Sequence, residues 1–302
     1  MQNDNLPNLV NADSISDNEK EWCGPFTFVQ AADTQLGLID RYLLNIDNFK
    51  WEKEKALCRE SIRRINAMEP KPKFYIICGD MLDAFPYEGQ STATRKKQYA
   101  DFVDIFKTLD PEIRLLCVCG NHDIGDIPTP EAAKLYRSQF GQDYFAFCYG
   151  GVLFVVLNSQ YFMCPDAMPD ETAKQLEFID KLALINPKPK HIVIFQHIPF
   201  FLQHPDEGNF DYFNIEKELR LQLLDKLYNL GARYIFCGHY HGNCGGFYKD
   251  MEQVVTTAIG APLHNDPSGF RIVNVFDDRL SHEFVPFFAS LSQQKDNNFM
   301  PL

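Results

Sequence analysis

The sequence lacks any apolar run approaching the roughly 20 residues that a membrane-spanning helix needs. Its N-terminal stretch, from Met1 to Glu21, is polar and acidic and lacks the apolar segment of a secretory signal peptide. Both absences disfavour a membrane protein or an exported protein. We therefore predict a cytoplasmic protein that does not bind membranes.

Positive charge is scarce as well, because 41 Asp and Glu residues outnumber 29 Lys and Arg residues and leave a net charge of −12. Nucleic-acid binding depends largely on cationic contacts to phosphates, so this composition disfavours it. The sequence also shows no obvious basic pocket and no cofactor-binding loop. We predict a monomer without a nucleic-acid partner.

Cysteine pairs with a recognisable spacing are missing too. None of the nine cysteines has a partner at zinc-ribbon spacing, and Cys117 and Cys119 lie too close together for ordinary disulfide geometry. Four cysteines fall within apolar segments, namely Cys78, Cys117, Cys119 and Cys237. This placement is typical of reduced thiols that pack as small hydrophobic groups.

The chain does contain enough apolar material for a large core. Of its 302 residues, 45% are hydrophobic and 26 are Phe. This length permits one large domain or two small ones, but we find no internal repeat and no linker. We predict one domain over residues 23–290, between a flexible acidic N-terminal tail at residues 1–22 and a C-terminal tail at residues 291–302.

Apolar runs alternate with helical patterns in the first half of the chain, which gives a βαβαβ order. Strands are predicted at Phe26–Ala32, Phe74–Cys78 and Ile113–Cys119, and helices at Ile46–Met68, Ala93–Leu109 and Pro130–Phe140. The second strand is apolar throughout, as expected of a parallel strand that is covered on both faces.

The second half mixes a meander with crossovers. Gly150-Gly151 is typical of a tight hairpin turn, and Asn214 and Gly231 are typical of helix caps. Strands are predicted at Tyr144–Tyr149, Val152–Leu157, His191–Phe195 and Tyr234–Cys237, with helices at Glu171–Ile185 and Ile215–Asn229. Three final strands, near Val254–Ile259, Phe270–Val275 and His282–Phe287, have no helices between them and are predicted to be antiparallel. We expect an α/β fold of two packed mixed sheets with helices outside.

Short polar clusters follow five of these strands. They are Asp33-Thr34-Gln35, Gly79-Asp80-Met81-Leu82-Asp83, Gly120-Asn121-His122-Asp123, Gln196-His197 and Gly238-His239-Tyr240-His241. Open α/β sheets bind ligands at the carboxyl ends of their strands, where these clusters would meet.

Each cluster also has an ordinary structural interpretation. Gly79-Asp80 resembles a turn, Asn121 could be an ordinary loop residue, and Asp33 could be a helix cap. His197 could be a core histidine, while His239 and His241 could be a chance surface pair. The functional interpretation depends on five strand ends in one chain carrying residues of ligand type.

The donor types favour a pair of metal ions. Asp33, Gln35, Asp80 and Asn121 offer oxygen atoms, and His197, His239 and His241 offer imidazole nitrogens. This mixture suits Mn, Fe or Zn better than Ca. A single carboxylate can bridge two cations, between which a water loses a proton near neutral pH and can attack phosphorus in line.

In their order along the chain, the five clusters resemble the calcineurin-like metallophosphoesterase superfamily over residues 26–287. The resemblance implies a four-layer α/β/β/α sandwich and a metal-dependent phosphoric monoester hydrolase, most simply a serine/threonine protein phosphatase. It implies one metal held by Asp33, Gln35, Asp80 and His241, and another held by Asp80, Asn121, His197 and His239. Asp80 would bridge the two metals.

The resemblance also assigns roles beside the metals. His122 would lie over the phosphate and protonate the leaving oxygen, and Asp123 would orient His122 and raise its basicity. Asp83 would fix the loop after Asp80.

Gln35 departs from the family pattern, which usually has His at this position. Because an amide oxygen is a weaker and harder donor than imidazole, the first metal could be held less tightly, with Mn or Mg favoured over Zn. The metals are therefore expected to be two divalent ions chosen from Mn, Fe, Zn and Mg.

Substrate determinants are less evident. The apolar segments Tyr161–Pro165 and Pro199–His204 could line the pocket or simply pack, and the long segment Pro199–Asn214 is typical of a binding loop. We expect a phosphorylated protein or a small phosphoester as substrate. A phosphodiesterase, or a catalytically silent scaffold with the same fold, are the alternatives.

Overall fold

Two sheets account for the strands of the computed structural model, which describes residues 6, 9, 21–47, 49–86, 90–185, 188–210 and 212–288. The strands are β1 Phe26–Ala31, β2 Phe74–Cys78, β3 Arg114–Val118, β4 Phe145–Tyr149, β5 Val152–Val156, β6 His191–Phe195, β7 Ala232–Cys237, β8 Cys244–Tyr248, β9 Met251–Val255, β10 Gly269–Val275 and β11 Leu280–Pro286. The first sheet has the order β11-β10-β1-β2-β3 and the second has the order β4-β5-β6-β7-β9-β8.

Parallel pairing brings the ends of the central strands together. In the first sheet β1, β2 and β3 are parallel, while β10 is antiparallel to both β1 and β11. In the second sheet β5, β6, β7 and β9 are parallel, and β4 and β8 are antiparallel edge strands. Both sheets are therefore mixed, as predicted.

Helices cover the outer faces of both sheets. They are α1 Glu52–Asn66, α2 Gln90–Phe106, α3 Asn121–Ile124, α4 Pro130–Phe140, α5 Gln160–Met163, α6 Pro169–Leu182 and α7 Lys217–Leu230. A π-helical turn, Ile39–Leu43, lies between β1 and α1.

The alternation of side chains along each strand separates the core into layers. On β2, Tyr75 and Ile77 pack against α1, α2 and α4, whereas Phe74 and Ile76 pack between the sheets. The inter-sheet layer is rich in phenylalanine, and Phe28 stacks on Phe74 with ring centroids 4.6 Å apart. A third cluster joins the second sheet to α6 and α7. The layers run helix, sheet, sheet, helix, which confirms the predicted four-layer sandwich.

The final strands differ from their prediction. The strand expected near Val254–Ile259 is Met251–Val255, and it is parallel to β7 rather than part of an antiparallel set with β10 and β11. Strand β8 was not predicted, because Gly245 and Gly246 interrupt its apolar pattern. It pairs with β9 as a hairpin, which allows β9 to return parallel to β7 without an intervening helix.

Helix starts differ from their predictions as well, by the largest number of residues at α1. The helix predicted from Ile46 begins at Glu52, where Glu52 and Glu54 place negative charge in the first turn. The cap of α7 is Glu216, which accepts hydrogen bonds from the amides of Glu218 and Leu219. Asn214 was expected in that role but accepts from the amide of Phe210 instead.

The predicted tails lie largely outside the described residues. Leu6 and Leu9 are buried, and Leu9 forms a bridge to Leu115 at the edge of β3. The boundaries of the tails at residues 22 and 291 stay predictions. Within the described residues, no helix is both long enough and apolar enough to span a bilayer.

Candidate metal centre

The structure places all seven predicted ligands at strand ends of the two sheets, facing one another. Four follow strands of the first sheet, namely Asp33 and Gln35 after β1, Asp80 after β2 and Asn121 after β3. Three follow strands of the second sheet, namely His197 after β6, and His239 and His241 after β7. All seven are at most 6% exposed, so the cluster is a buried polar site between the sheets.

One part of the site contains Asp33, Gln35 and His241. His241 Nε2 lies 3.5 Å from Asp33 Oδ1. Among the described residues, Asp33 Oδ1 and Gln35 Oε1 are buried atoms that have no hydrogen-bond partner. A buried oxygen without a donor is costly in an apolar surrounding, so these two atoms fit a cation that would satisfy both.

The other part is centred on His197. Its Nε2 atom lies 3.0 Å from Asn121 Oδ1, 3.3 Å from Asp80 Oδ2 and 3.2 Å from His239 Nδ1. Ligand atoms of Asp80, His197 and His239 all fall within 4.8 Å of one another. Nitrogen and oxygen donors in this arrangement fit a transition-metal cation.

Backbone carbonyls fix the ring orientation of all three imidazoles. His197 Nδ1 donates to the carbonyl of Cys78 over 2.8 Å, and His241 Nδ1 donates to the carbonyl of Ala261 over 2.6 Å. His239 donates through Nε2 to the carbonyl of Tyr212 over 2.6 Å. In each ring the remaining nitrogen faces the other candidate ligands, which is the usual arrangement of metal-binding histidines.

The amide of Asn121 is oriented in the same way. Its Nδ2 group donates to Asp126 Oδ1 over 2.7 Å and to the hydroxyl of Tyr212 over 2.8 Å. Both amide hydrogens are thereby used, and Oδ1 is the atom that faces His197.

Strained backbone accompanies the site. Asp33, Gln35, Asp80, His239 and His241 all have positive φ, between 34° and 70°. Residues with a Cβ rarely adopt this conformation, and each instance costs of order 1 kcal/mol or more. Five instances among seven candidate ligands indicate that the fold holds these side chains in place for a function.

Two glycines make room for the ligands. A Cβ on Gly79 would lie 2.1 Å from His197 Nδ1, and a Cβ on Gly120 would lie 2.2 Å from Asp80 Oδ1. Only glycine permits this approach, which explains the Gly that precedes Asp80 and Asn121 in the sequence.

Charge within the cluster is strongly coupled. Burial disfavours ionisation of Asp80, but the imidazoles of His197 and His122 outweigh it and hold the pKa of Asp80 well below its usual range. Burial also lowers the pKa of His197, yet Asp80 raises it to about 9 overall. Burial together with His197 lowers the pKa of His239 to about 3, so that His239 stays neutral and can donate a lone pair.

His122 lies beside the ligand cluster and lines the cavity. Its Nδ1 donates to the carbonyl of Asp83 over 2.6 Å, and its ring stacks on Phe85 with centroids 4.2 Å apart. The Nε2 atom is the nitrogen left for a substrate. The position fits the predicted proton donor.

The carboxylate beside His122 is not the one expected. Asp83 Oδ1 lies 3.7 Å from His122 Nδ1. Asp123 Oδ2 instead accepts from the amides of Gly120 and Asp80, each over 2.9 Å. Asp123 therefore holds the two ligand-bearing loops together, and the backbone carbonyl of Asp83 orients His122. The side chain of Asp123 turns away because α3 begins at Asn121 and places its third residue over its own first turn.

Sequence reasoning missed several supporting residues. Arg95 on α2 is 2% exposed and donates to the carbonyls of Ala84, His122 and Asp123. Tyr212 reaches both Asn121 and His239, as described above. No local pattern marks these residues, since their contacts are distant in the chain.

A cavity of about 340 Å³ opens onto the cluster. Its lining combines the polar residues Gln35, Arg41, Asp80, His122, Asp126, His239 and His241 with the apolar and aromatic residues Leu38, Tyr42, Phe85, Tyr212, Phe213 and Leu263. Tyr42 and Tyr212 are 67% and 42% exposed, so the cavity continues to the surface.

The loops expected to surround the cavity contribute unequally. Tyr161, Phe162, Phe200 and Phe201 are buried and belong to the hydrophobic core. Within the long segment Pro199–Asn214, Tyr212 and Phe213 line the cavity. The short apolar segments therefore serve packing, and the later part of the long segment reaches the site.

Comparison with known proteins gives a consistent result. A family model described as calcineurin-like phosphoesterase matches residues 26–243. The chain is 40% identical over 274 residues to a Bos taurus protein named serine/threonine-protein phosphatase CPPED1, covering 89% of this chain and 86% of the relative. The Homo sapiens protein of the same name is 39% identical over 274 residues, with the same coverage.

Solved structures with the same fold have much lower sequence identity. A dimetal phosphatase from Danio rerio has a TM-score of 0.61 at 16% identity, covering 88% of this chain and 98% of that one. The purple acid phosphatase PPD1 of yellow lupin (Lupinus luteus) has a TM-score of 0.62 at 14% identity, covering 88% of this chain and 52% of that one.

Proposed function

This chain belongs to the calcineurin-like phosphoesterase family, and on that premise we propose that it is a metal-dependent phosphatase acting on phosphoserine and phosphothreonine of proteins. The observation that carries the proposal is a buried cluster of three carbonyl-anchored imidazoles, two beside Asp80 and one beside Asp33, with His122 next to it on the cavity wall. An ordinary structural role would not require three buried imidazoles, each anchored through one nitrogen, to turn the other nitrogen toward buried carboxylates.

The proposal assigns the donors to two cations. Asp33, Gln35, Asp80 and His241 would hold one, and Asp80, Asn121, His197 and His239 would hold the other. When bound, two divalent cations offset the charge of a phosphoryl group and supply an activated water for in-line displacement. Mn, Fe, Zn and Mg all remain candidates, and the amide of Gln35 favours Mn or Mg at the first position.

The protein's own side chains would complete the reaction. His122 would protonate the leaving oxygen through Nε2, while the carbonyl of Asp83 accepts from its Nδ1 and holds the ring in place. Phe85 limits rotation of the ring by stacking on it. Asp123 would keep the loops of Asp80 and Asn121 in register.

The substrate class is supported by the names of the relatives and by the cavity. Relatives named as serine/threonine phosphatases cover nearly nine tenths of this chain. Tyr42 and Tyr212 line the cavity and are exposed to solvent, so the cavity opens to the surface where a polypeptide would lie beside its phosphorylated side chain. A small phosphoester would fit the same cavity.

Three further predictions concern the setting of the protein. A cytoplasmic location is supported by nine free cysteines, of which the four predicted in the core are buried. A monomeric state and the absence of a nucleic-acid partner stay predictions based on charge and composition.

The test combines metal analysis with turnover of p-nitrophenyl phosphate and its bis-ester. We expect two divalent ions per chain, loss of activity after verified metal removal, and recovery with Mn²⁺. Asp80→Asn should lose both metals and nearly all turnover while staying folded, because it removes the only bridging charge.

Several outcomes would contradict the proposal. Activity that persists after complete stripping would exclude the metal mechanism, and hydrolysis of the bis-ester alone would favour a phosphodiesterase. Bound metals without hydrolysis of either ester, or of a phosphoserine peptide, would favour the scaffold interpretation.

A further inference from the structure

Arg41 is the only Lys or Arg among the described residues that line the cavity. Asp80 and Asp126 line the same cavity, and the whole chain carries a net charge of −12. Arginine and lysine side chains usually extend into solvent. A lone arginine on the wall of a cavity proposed to bind anionic substrates therefore requires an explanation.

The contacts of Arg41 leave part of its guanidinium unused. Its Nε and one terminal nitrogen donate to Asp83 over 2.5 Å and 2.7 Å. Asp83 is buried, whereas the side chain of Arg41 is 38% exposed. A guanidinium has five N–H groups, so three remain, for which the described residues supply no bond.

The backbone around Arg41 is held firmly. Arg41 lies in the π-helical turn Ile39–Leu43, and turns of this kind occur often at functional sites. Glu54 on α1 accepts hydrogen bonds from the amides of Gly37 and Ile39 over 3.1 Å and 2.9 Å, which fixes the start of the turn. The guanidinium is thus presented to the cavity by a supported backbone and a bidentate ion pair.

We infer that Arg41 binds the phosphoryl group of the substrate and selects phosphate monoesters over diesters. The inference rests on the proposed function. A monoester presents three terminal oxygens and close to two negative charges, whereas a diester presents two oxygens and one charge. The N–H groups of arginine donate charge-assisted hydrogen bonds to phosphate oxygens, and if two terminal oxygens face the metals, only the monoester keeps a third for Arg41.

A different role must be distinguished from this one. Arg41 could act only by holding Asp83, which in turn holds His122. In that case its loss would impair proton donation equally for the two p-nitrophenyl esters, which share a leaving group, and would leave phosphate affinity unchanged.

The experiment measures binding of inorganic phosphate to the Mn-loaded protein by calorimetry, with metal content determined for each variant. Arg41→Gln should keep its metals and bind phosphate about 10- to 100-fold more weakly, the usual worth of a charged hydrogen-bond pair. Arg41→Lys should weaken phosphate binding less than Arg41→Gln does. Arg63→Gln is the matched control and should bind as the wild type does, because Arg63 is exposed on α1 and pairs with Glu60.

The Asp83→Asn variant distinguishes direct phosphate binding by Arg41 from an indirect role in which Arg41 only positions Asp83. It keeps an acceptor for Arg41 but removes the competing charge, so phosphate affinity should stay within about threefold of the wild type or increase. If Asp83→Asn weakens phosphate binding as much as Arg41→Gln does, Arg41 acts through Asp83 and the inference is wrong.

Turnover then tests selectivity. For Arg41→Gln, kcat/KM should fall at least tenfold more on p-nitrophenyl phosphate than on the bis-ester. Equal decreases in kcat/KM on the two esters would overturn the inference. So would an unchanged phosphate affinity of Arg41→Gln, or a loss of Mn from that variant. Phosphate binding that depends on Arg41 in a protein that hydrolyses neither ester would support the inference and contradict the proposed function instead.

Discussion

At the scale of single residues, the site separates groups that could hold cations from a group that could move a proton. Each candidate imidazole ligand has one nitrogen on a backbone carbonyl and the other among the buried donors. His122 has the same kind of anchor, the carbonyl of Asp83, but lies on the cavity wall. Its substitution should therefore change chemistry without changing metal content.

His122→Ala should keep both metals and lose roughly 10²–10⁴-fold in turnover, the usual contribution of a placed general acid. The loss should be smaller for p-nitrophenyl phosphate, whose leaving group needs little protonation, than for phosphoserine. Steady-state kinetics on both substrates, with elemental analysis of the variant, check this. Equal losses on the two substrates would limit His122 to phosphate binding.

At the scale of elements, the loop from β1 to α1 depends on one buried carboxylate. Glu54 is 1% exposed, and its Oε1 atom receives the amides of Gly37 and Ile39. Burial raises the pKa of Glu54 from 4.5 to about 7, against the opposing effect of these amides. The protonated form is therefore the one that the folded protein favours.

The stability consequence has a definite sign. Between pH 4.5 and 7 the folded protein binds the proton more tightly than the unfolded chain, so the free energy of unfolding falls as pH rises through this range. At roughly 1.4 kcal/mol per pKa unit, this pKa difference corresponds to about 3 kcal/mol of unfolding free energy. That stabilisation is lost by the time the pH exceeds about 7.

Glu54→Gln should abolish this loss, because glutamine keeps an oxygen for the two amides and cannot ionise. We expect the variant and the wild type to have similar stability at pH 4.5 and the variant to be more stable at pH 8, by up to about 3 kcal/mol. Urea unfolding at the two pH values measures the difference. If the variant and the wild type differed in unfolding free energy by the same amount at pH 4.5 and pH 8, Glu54 would not titrate in this range.

At the scale of the whole molecule, the candidate ligands come from both sheets. Asp33, Gln35, Asp80 and Asn121 extend from the first sheet, and His197, His239 and His241 from the second. Cations held by both sets would link the sheets at one edge of the phenylalanine-rich layer. Metal binding should then stabilise the entire fold.

Mn²⁺ at about 100 times its dissociation constant should stabilise the protein by about 2.7 kcal/mol for each independent site. For a domain of this size we expect the Tm to rise by about 5–8 °C. Thermal unfolding with and without Mn²⁺ tests this, with Asp80→Asn as the variant in which the rise should disappear. A rise of equal size in Asp80→Asn would show that Mn²⁺ binds elsewhere.

Much of the architecture was determined by local sequence pattern. Uniformly apolar strands such as Phe74–Cys78, separated by amphipathic helices, predict parallel strands covered on both faces, and the polar clusters after them predict a site at their ends. Pattern failed at β8, where glycines weaken the strand signal, and therefore at the direction of β9. It also failed to reveal the π-helical turn, which no hydrophobic period marks.

The tertiary structure decided which side chains act on which. Asp123 is the immediate neighbour of His122 in the sequence and Asp83 is 39 residues away, yet the structure places Asp83 beside the ring and turns Asp123 toward two backbone amides. Arg41 and Tyr212 reach the site from segments far apart in the chain, by contacts that no local period encodes. Residue types and strand order follow from short-range pattern, whereas partners across the chain are set by how the two sheets pack.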